Sequence, residues 1–359
     1  MRTTLVLNGP NLDRFGKRQP EVYGSQTLDD IESMLVAKGV DLGVEVESRH
    51  SNHEGELIDW INDSDHDGIV VNPGALSHTS HALADSIRSV PQPTVEVHVS
   101  NIREREPWRA VSLVAPACVR SIYGRGIRGY VDAIRHLLNR TAHPFETIRY
   151  GPHSDNIGDL RRGEEGLVVL VHGGFWRHEW ALDTMETLAV DLTRRGLNTW
   201  NIEYRRLGDG GGWPASAHDV LMALDFVPQL GLQTGSISMM GHSAGGHLGI
   251  WAASRTSTEI SRLVALAPVL DLERHAGSQL FGASESSTLL DSGAPARITP
   301  EDVSTTLVHG TSDSVVPVEH SLSLKGAQAV EVITPDIGHF EILDPEESHW
   351  EEIAGRVVP

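Results

Sequence analysis

One cysteine, Cys118, stands among the 359 residues. That scarcity excludes an intrachain disulfide framework and any all-cysteine zinc site, and it fits a reducing cytoplasm. Cations are also short: 29 Lys and Arg against 49 Asp and Glu leave a formal net charge of −20. A chain this acidic lacks the basic footprint of a nucleic-acid binder and gains nothing from an anionic membrane surface. No run approaches the roughly 18 apolar residues of a spanning helix. At the start, Leu5-Val6-Leu7 is cut short by Gly9-Pro10, which does not resemble a signal peptide. The mature chain is therefore expected to begin near Met1 and to be cytoplasmic. Internal repeats and low-complexity tracts are lacking too.

What is present reads as globular, with 39% hydrophobic and 22% charged residues. The length suggests two domains at roughly 150 residues each. The segment from Thr141-Ala142-His143-Pro144 to Gly163-Glu164-Glu165-Gly166 is polar and rich in turn residues. It is read as a linker over 143–165 between a first domain, 1–142, and a second, 166–359. Most of the excess acid falls in the second half.

In the first half, short apolar strands alternate with amphipathic helices. Strands are expected at Leu5–Leu7, Val44–Glu47, Ile69–Val71, Val95–Val99 and Cys118–Ile122. Helices are expected over 27–39, with Thr27 as N-cap, and over 54–63, 79–88 and 127–139. Strict alternation predicts a parallel sheet covered on both faces, and five strands in this length predict the flavodoxin-like order. In such sheets ligands bind beyond the carboxyl ends of the strands. The second half repeats the pattern, with strands at Leu167–Val171, Asn198–Ile202, Ser236–Met240, Leu263–Leu266, Thr306–Val308 and Val330–Ile333.

Four polar clusters lie at or beside strands of the first half: Asn8-Gly9-Pro10-Asn11, the loop Lys17–Gly24, Asn72–His78, and Glu96–Asn101. In these motifs and their order, residues 1–140 resemble the type II 3-dehydroquinate dehydratases. The resemblance implies loss of water from 3-dehydroquinate through an enolate, with no metal and no cofactor. It implies Tyr23 as the base, with Arg18 on the same loop favouring the tyrosinate. It implies Asn11 holding a water at the enolate oxygen, and His98 as general acid with Glu96 on the same strand face. Substrate holding falls to Asn72, His78, Asp85 and Arg109 and to the backbone of Val99 and Ser100. Arg105, one turn before Arg109, supports it. Asp85 is implied to enter from a neighbouring subunit of a trimer or dodecamer. Gln19 departs from the family, which carries an acidic residue there. His78 and His81 are spaced like a metal pair but lack a third ligand.

The second half carries Gly241-His242-Ser243-Ala244-Gly245 after a strand and before a helical stretch, the G-x-S-x-G nucleophile elbow. Asp313 and His339 follow in the order Ser, Asp, His. His339 is read as the base for Ser243 and Asp313 as the group that orients it. His242 and His247 are poorer bases by position, and Asp336 is an alternative acid. His172-Gly173-Gly174-Phe175-Trp176 supplies the oxyanion loop, with the N–H of Phe175 or Gly174 and that of Ala244 as donors. His172 is read as structural. These motifs resemble the α/β-hydrolase superfamily, and within it kynurenine formamidases and small carboxylesterases. That resemblance implies a small ester or an aryl formamide as substrate. The competing reading makes the first half a flavodoxin-like binding module and the esterase or formamidase the main activity. Against it, Gly9-Pro10-Asn11-Leu12 lacks the Ser, Thr or extra Gly of a phosphate cradle.

Overall fold

Leu5, Val6 and Leu7 are completely buried, because the strand they form lies inside a sheet with helices on both faces. The computed structural model describes residues 2–17, 25–102, 105–109, 111–232, 235–280, 282–300 and 303–357. It divides into two units, Met1–Ala142 and His143–Pro359.

The first unit runs β1 (Arg2–Asn8), α1 (Leu28–Asp41), β2 (Val44–His50), α2 (Glu54–Asn62), β3 (Gly68–Asn72), α3 (His81–Ser89), β4 (Thr94–His98), β5 (Arg120–Tyr123) and α4 (Arg128–Ala142). The strands are all parallel in the order β2-β1-β3-β4-β5. This is the flavodoxin-like order. Strand periodicity sorts the core: Val6, Val70 and Val95 pack with Ile31, Leu35, Ile134 and Leu137 of α1 and α4. Leu5, Leu7, Ile69 and Val71 pack on the other face with Leu57, Ile61, Leu83 and Ile87 of α2 and α3. Thr27 caps α1 in a capping box, accepting from the Asp30 N–H while the Asp30 carboxylate accepts from the Thr27 N–H. The expected helix over 79–88 begins only at His81. A 3₁₀ turn occupies Gly74–His78, and Ser80 caps α3 by accepting from the Leu83 N–H.

The second unit contains β6 (Glu146–Arg149), β7 (Ile157–Arg161), β8 (Glu165–Val171), α5 (Glu186–Arg194), β9 (Leu197–Ile202), α6 (Ala215–Phe226), β10 (Ile237–His242), α7 (Ala244–Ala253), β11 (Arg262–Leu266), β12 (Thr305–Val308) and β13 (Val330–Ile333), with shorter helices between. Its eight strands lie in the order β13-β12-β11-β10-β8-β9-β7-β6. Strands β8 to β13 pair in parallel, whereas β7 runs antiparallel to both β9 and β6. Within residues 143–165, expected as a linker, Glu146–Arg149 and Ile157–Arg161 therefore belong to this sheet. Polar side chains hid them: Thr147 Oγ1 donates to Asp159 at 2.6 Å, and Arg161, 1% exposed, is paired with Glu186 at 2.7 Å. No helix among the described residues is long and apolar enough to cross a membrane.

Two candidate active sites

The sheet order of the first unit reverses between β1 and β3, and the loops after these strands are drawn together there. The Gly9 N–H donates to the Asn72 carbonyl at 2.8 Å. A Cβ on Gly9 would stand 2.6 Å from the Pro73 oxygen, and one on Gly74 (φ 57°) would stand 2.9 Å from the Pro10 oxygen. Only glycine permits both approaches.

Beside this junction lies a cavity of about 150 Å³, lined by Asn11, Asn72, His78, His98, Val99, Ser100 and Arg109. The structure thus gathers seven of the expected residues around one space. Glu96 stands behind His98, with His98 Nε2 3.0 Å from Glu96 Oε1. The carboxylate also accepts from Ser112 at 2.7 Å and Ser121 at 2.9 Å. Burial pushes Glu96 up, but the hydrogen bond and charge of His98 and the two serine hydroxyls outweigh it. They hold the carboxyl below its ordinary value. His78 donates from Nδ1 to the Val111 carbonyl at 2.8 Å, and burial lowers its affinity for a proton. Arg109 Nε donates to Glu106 at 2.8 Å, and its guanidinium lies 4.1 Å over the Trp108 ring. Arg105 Nε approaches the same Glu106 oxygen at 3.6 Å.

Tyr23, Arg18 and Gln19 lie outside the described residues. Asp85 is not brought to this cavity within the chain: its exposed carboxylate pairs with Arg88 at 3.1 Å. Sequence reasoning missed two participants. Arg14 lines the cavity while remaining exposed. Tyr130, fully buried on α4, accepts from Asn72 Nδ2 at 2.8 Å and donates to Asn8 Oδ1 at 2.7 Å. Asn72 Oδ1 accepts from the Gly74 N–H at 3.2 Å. Both ends of the Asn72 amide are therefore fixed. Among the described residues one Asn72 N–H is left over to serve a ligand.

In the second unit Ser243 occupies the turn between β10 and α7 at φ 51°, ψ −116°. A non-glycine residue held there carries strain of order 1–3 kcal/mol, sustained by its surroundings. Helix α7 sits hard against the end of β8: a Cβ on Gly245 would collide with the backbone oxygens of Val171 and His172. The Ser243 side chain is buried, and its Oγ has no hydrogen-bond partner among the described residues. His339 Nδ1 lies 2.7 Å from Asp313 Oδ2. Asp313 Oδ1 accepts from the N–H groups of Val315 and Val316, both at 2.8 Å, and His309 Nε2 stands 3.4 Å from Oδ2. Burial pushes Asp313 up, but the bonds from His309, His339 and Val316 prevail and hold it far below the carboxylate range. Asp336, the alternative acid, instead accepts from Ser312 at 2.7 Å and Thr311 at 3.2 Å.

Gly174, Phe175 and Trp176 follow β8 with φ of 105°, 49° and 60°. The run closes a turn in which the Arg177 N–H donates to the Gly174 carbonyl at 2.9 Å. Ala244 is the first residue of α7, so its N–H has no acceptor within the helix. His172 is held away from the chemistry, its Nε2 2.8 Å from Glu203 and its ring stacked on Tyr204 at 4.3 Å.

Comparison with known proteins separates the two units. Residues 2–138 match the family described as Dehydroquinase class II. Residues 159–327 match the family described as BD-FAE. A 3-dehydroquinate dehydratase 1 from Agrobacterium fabrum is 53% identical over 140 residues, covering 38% of this chain and 97% of that protein. Among solved structures, a putative thioesterase from a Silicibacter species aligns at 20% identity with a TM-score of 0.50. It covers 62% of this chain and 90% of its own. A carbohydrate esterase from gut microbiota aligns at 18% identity with a TM-score of 0.50, covering 58% of this chain and 93% of its own. At these identities the structural likeness shows the fold of the second unit, that of the α/β-hydrolases.

Proposed function

The chain belongs to the class II dehydroquinase family through residues 2–138, and from that premise we propose that its first unit converts 3-dehydroquinate to 3-dehydroshikimate and water. The observation that carries this is the buried Glu96–His98 pair at the edge of a cavity that Asn11, Asn72, His78 and Arg109 also line. Tyr23, as the phenolate favoured by Arg18, takes the proton next to the ketone. The electron pair moves onto the carbonyl oxygen as an enolate, stabilised by a water held on Asn11. Glu96 is acceptor-only when ionised, so it accepts the Nε2–H of His98 and leaves Nδ1, which carries the second proton of the imidazolium, to act on substrate as the acid. The proton taken up by Tyr23 returns to His98 by way of solvent after water has left. The enolate then collapses, the β-hydroxyl leaves, and His98 protonates it to water. Arg109, with Arg14 nearby, supplies cations for the substrate carboxylate, which the field of a chain at −20 would otherwise oppose.

The partner subunit's Asp85 completes this site in a homo-oligomer, a trimer or dodecamer, a reading supported by the fact that Asp85 does not line the cavity of its own chain. The place of action is the cytoplasm. An ultraviolet assay with 3-dehydroquinate tests the proposal. The conjugated enone appears with the wild type and not with His98→Ala. A folded wild type that forms no enone overturns it.

The second unit acts as a serine hydrolase on a small carboxylic ester or an aryl formamide, a reading favoured by the 2.7 Å His339–Asp313 contact beside the Ser243 elbow. Ser243 Oγ attacks the carbonyl carbon as His339 Nε2 takes its proton. The N–H groups of Phe175 or Gly174 and of Ala244 receive the oxyanion. His339 then gives the proton to the leaving group, and water releases the acyl group by the same route. A fluorophosphonate that labels Ser243 in the wild type, and leaves Ser243→Ala unlabelled, tests this second reading.

A further inference from the structure

The x of the G-x-S-x-G elbow, His242, takes no part in the proton transfers just described, yet its imidazole meets all three segments of the hydrolase site. It is the last residue of β10 and is 1% exposed. Its Nε2 lies 3.0 Å from the backbone oxygen of His339, a contact spanning 97 residues of chain. A carbonyl only accepts, so His242 Nε2 carries the proton and donates it. The two imidazole rings stand 4.7 Å apart at 49°, and Phe340 flanks them, 6.2 Å from His242. On the other side of the ring, a Cβ on Gly173 would fall 2.6 Å from His242 Nδ1 and 2.9 Å from Ser243 Cβ. The first glycine of the oxyanion loop is thus packed directly against this imidazole. Burial, reinforced by the neighbouring His339, keeps His242 neutral, although Asp313 and the bond to the His339 carbonyl pull the other way. The donor therefore persists at working pH.

Asp313 fixes the tautomer and direction of the His339 ring, but it sits on the loop after β12 and does not link His339 to the nucleophile. The Ser243 hydroxyl does not make that link either, since its Oγ is unpartnered among the described residues. Resting on the serine-hydrolase reading of this unit, we infer that His242 is a positioning residue. By donating to the His339 carbonyl while packed against Gly173, it sets the separation between nucleophile, base and oxyanion loop. It touches no substrate atom. Its effect is exerted on rate, because misplacing a reacting pair by 1 Å costs on the order of 10²-fold.

The test uses the full chain, a fluorophosphonate as the Ser243 probe and p-nitrophenyl acetate as the turnover probe. His242→Leu keeps the volume and removes the donor. His242→Gln retains an amide N–H at nearly the reach of Nε2. The Leu variant is expected to label about 10- to 100-fold more slowly and to lose kcat by a similar factor, with KM within about twofold. The Gln variant is expected to recover most of that loss. Melting temperatures of the two variants report whether the fold is intact. If Leu does not fold, His242→Asn, whose amide is too short to reach, takes its place in the comparison with Gln. The inference is overturned if the donor-free variant labels within twofold of wild type, if Gln and Leu lose rate equally, or if the loss appears in KM alone. A wild type that never labels at Ser243 overturns the hydrolase reading itself, which a normal wild type with a normal Leu variant does not.

Discussion

His98 Nε2 and Glu96 Oε1 are 3.0 Å apart, and both side chains are buried on β4. They are separated by one residue and so share a face of the strand. Two serine hydroxyls hold the same carboxylate, so its orientation is fixed before any substrate arrives. The pair therefore works as a unit, with Glu96 deciding which His98 nitrogen faces the cavity.

Replacing Glu96 by Gln preserves shape and removes the charge that selects the tautomer. Steady-state kinetics of Glu96→Gln should show kcat for dehydration reduced by about 10²- to 10⁴-fold, the range for losing a general acid, with KM changed far less. A variant with unchanged kcat would remove Glu96 from the mechanism.

Tyr130 holds Asn72 from behind, through a chain that continues by way of Asn8 and Ser48 to Glu32. Tyr130→Phe leaves two buried polar partners short of a bond. Denaturant unfolding should show a loss of about 1–3 kcal/mol. Because Asn72 binds and does no proton transfer, KM should rise more than kcat falls. Equal loss in both would assign Tyr130 a structural part alone.

The alternation of strand and helix, both motif sets and the Thr27 cap were legible because each is local or periodic. The β6–β7 hairpin was not. Its signal is polar, and it is stable because Asp159 and Arg161 find partners, Thr147 and Glu186, that no window along the chain reveals. Tyr130 escaped for the same reason, lying 58 residues from Asn72 and 122 from Asn8. Arg14 sits only three residues after Asn11, but no motif marked it. Its place in the cavity wall emerged only once the loop after β1 was folded. At the hydrolase site the order Ser, Asp, His identified the three groups, whereas the His242 contact with His339 joins backbone to side chain and leaves no trace in composition.

Two buried histidines give the second unit a predictable response to acid. Among the described residues both ring nitrogens of His247 lack partners, and burial pushes it down to about 3. His320 is pushed down to about 4, by burial first and then by His275 and His309. Each folded value lies below the ordinary 6.5, so the unfolded chain binds the proton more readily. Their contribution is complete above about pH 6.5 and is lost as pH falls toward the folded values. The slope is up to about 1.4 kcal/mol per pH unit for each. Urea unfolding between pH 7 and pH 5 should show a shallower decline for His247→Leu than for wild type. Parallel declines would contradict the assignment.

Asp313→Asn keeps the shape of the His339 partner and removes its charge. Fluorophosphonate labelling of Ser243 should slow by about 10³- to 10⁴-fold, in line with loss of the orienting acid of a triad. Asp336→Asn should label within about twofold of wild type, since Asp336 accepts from Ser312 and Thr311 and not from His339.

The most direct measurement follows the rise of enone absorbance when the purified full chain meets 3-dehydroquinate, for the wild type and for Tyr23→Phe side by side. Turnover by the wild type, abolished in Tyr23→Phe while Ser243 still takes the fluorophosphonate label, is the predicted result. A folded wild type that labels at Ser243 but forms no enone, or a Tyr23→Phe chain that dehydrates at the wild-type rate, would contradict the account.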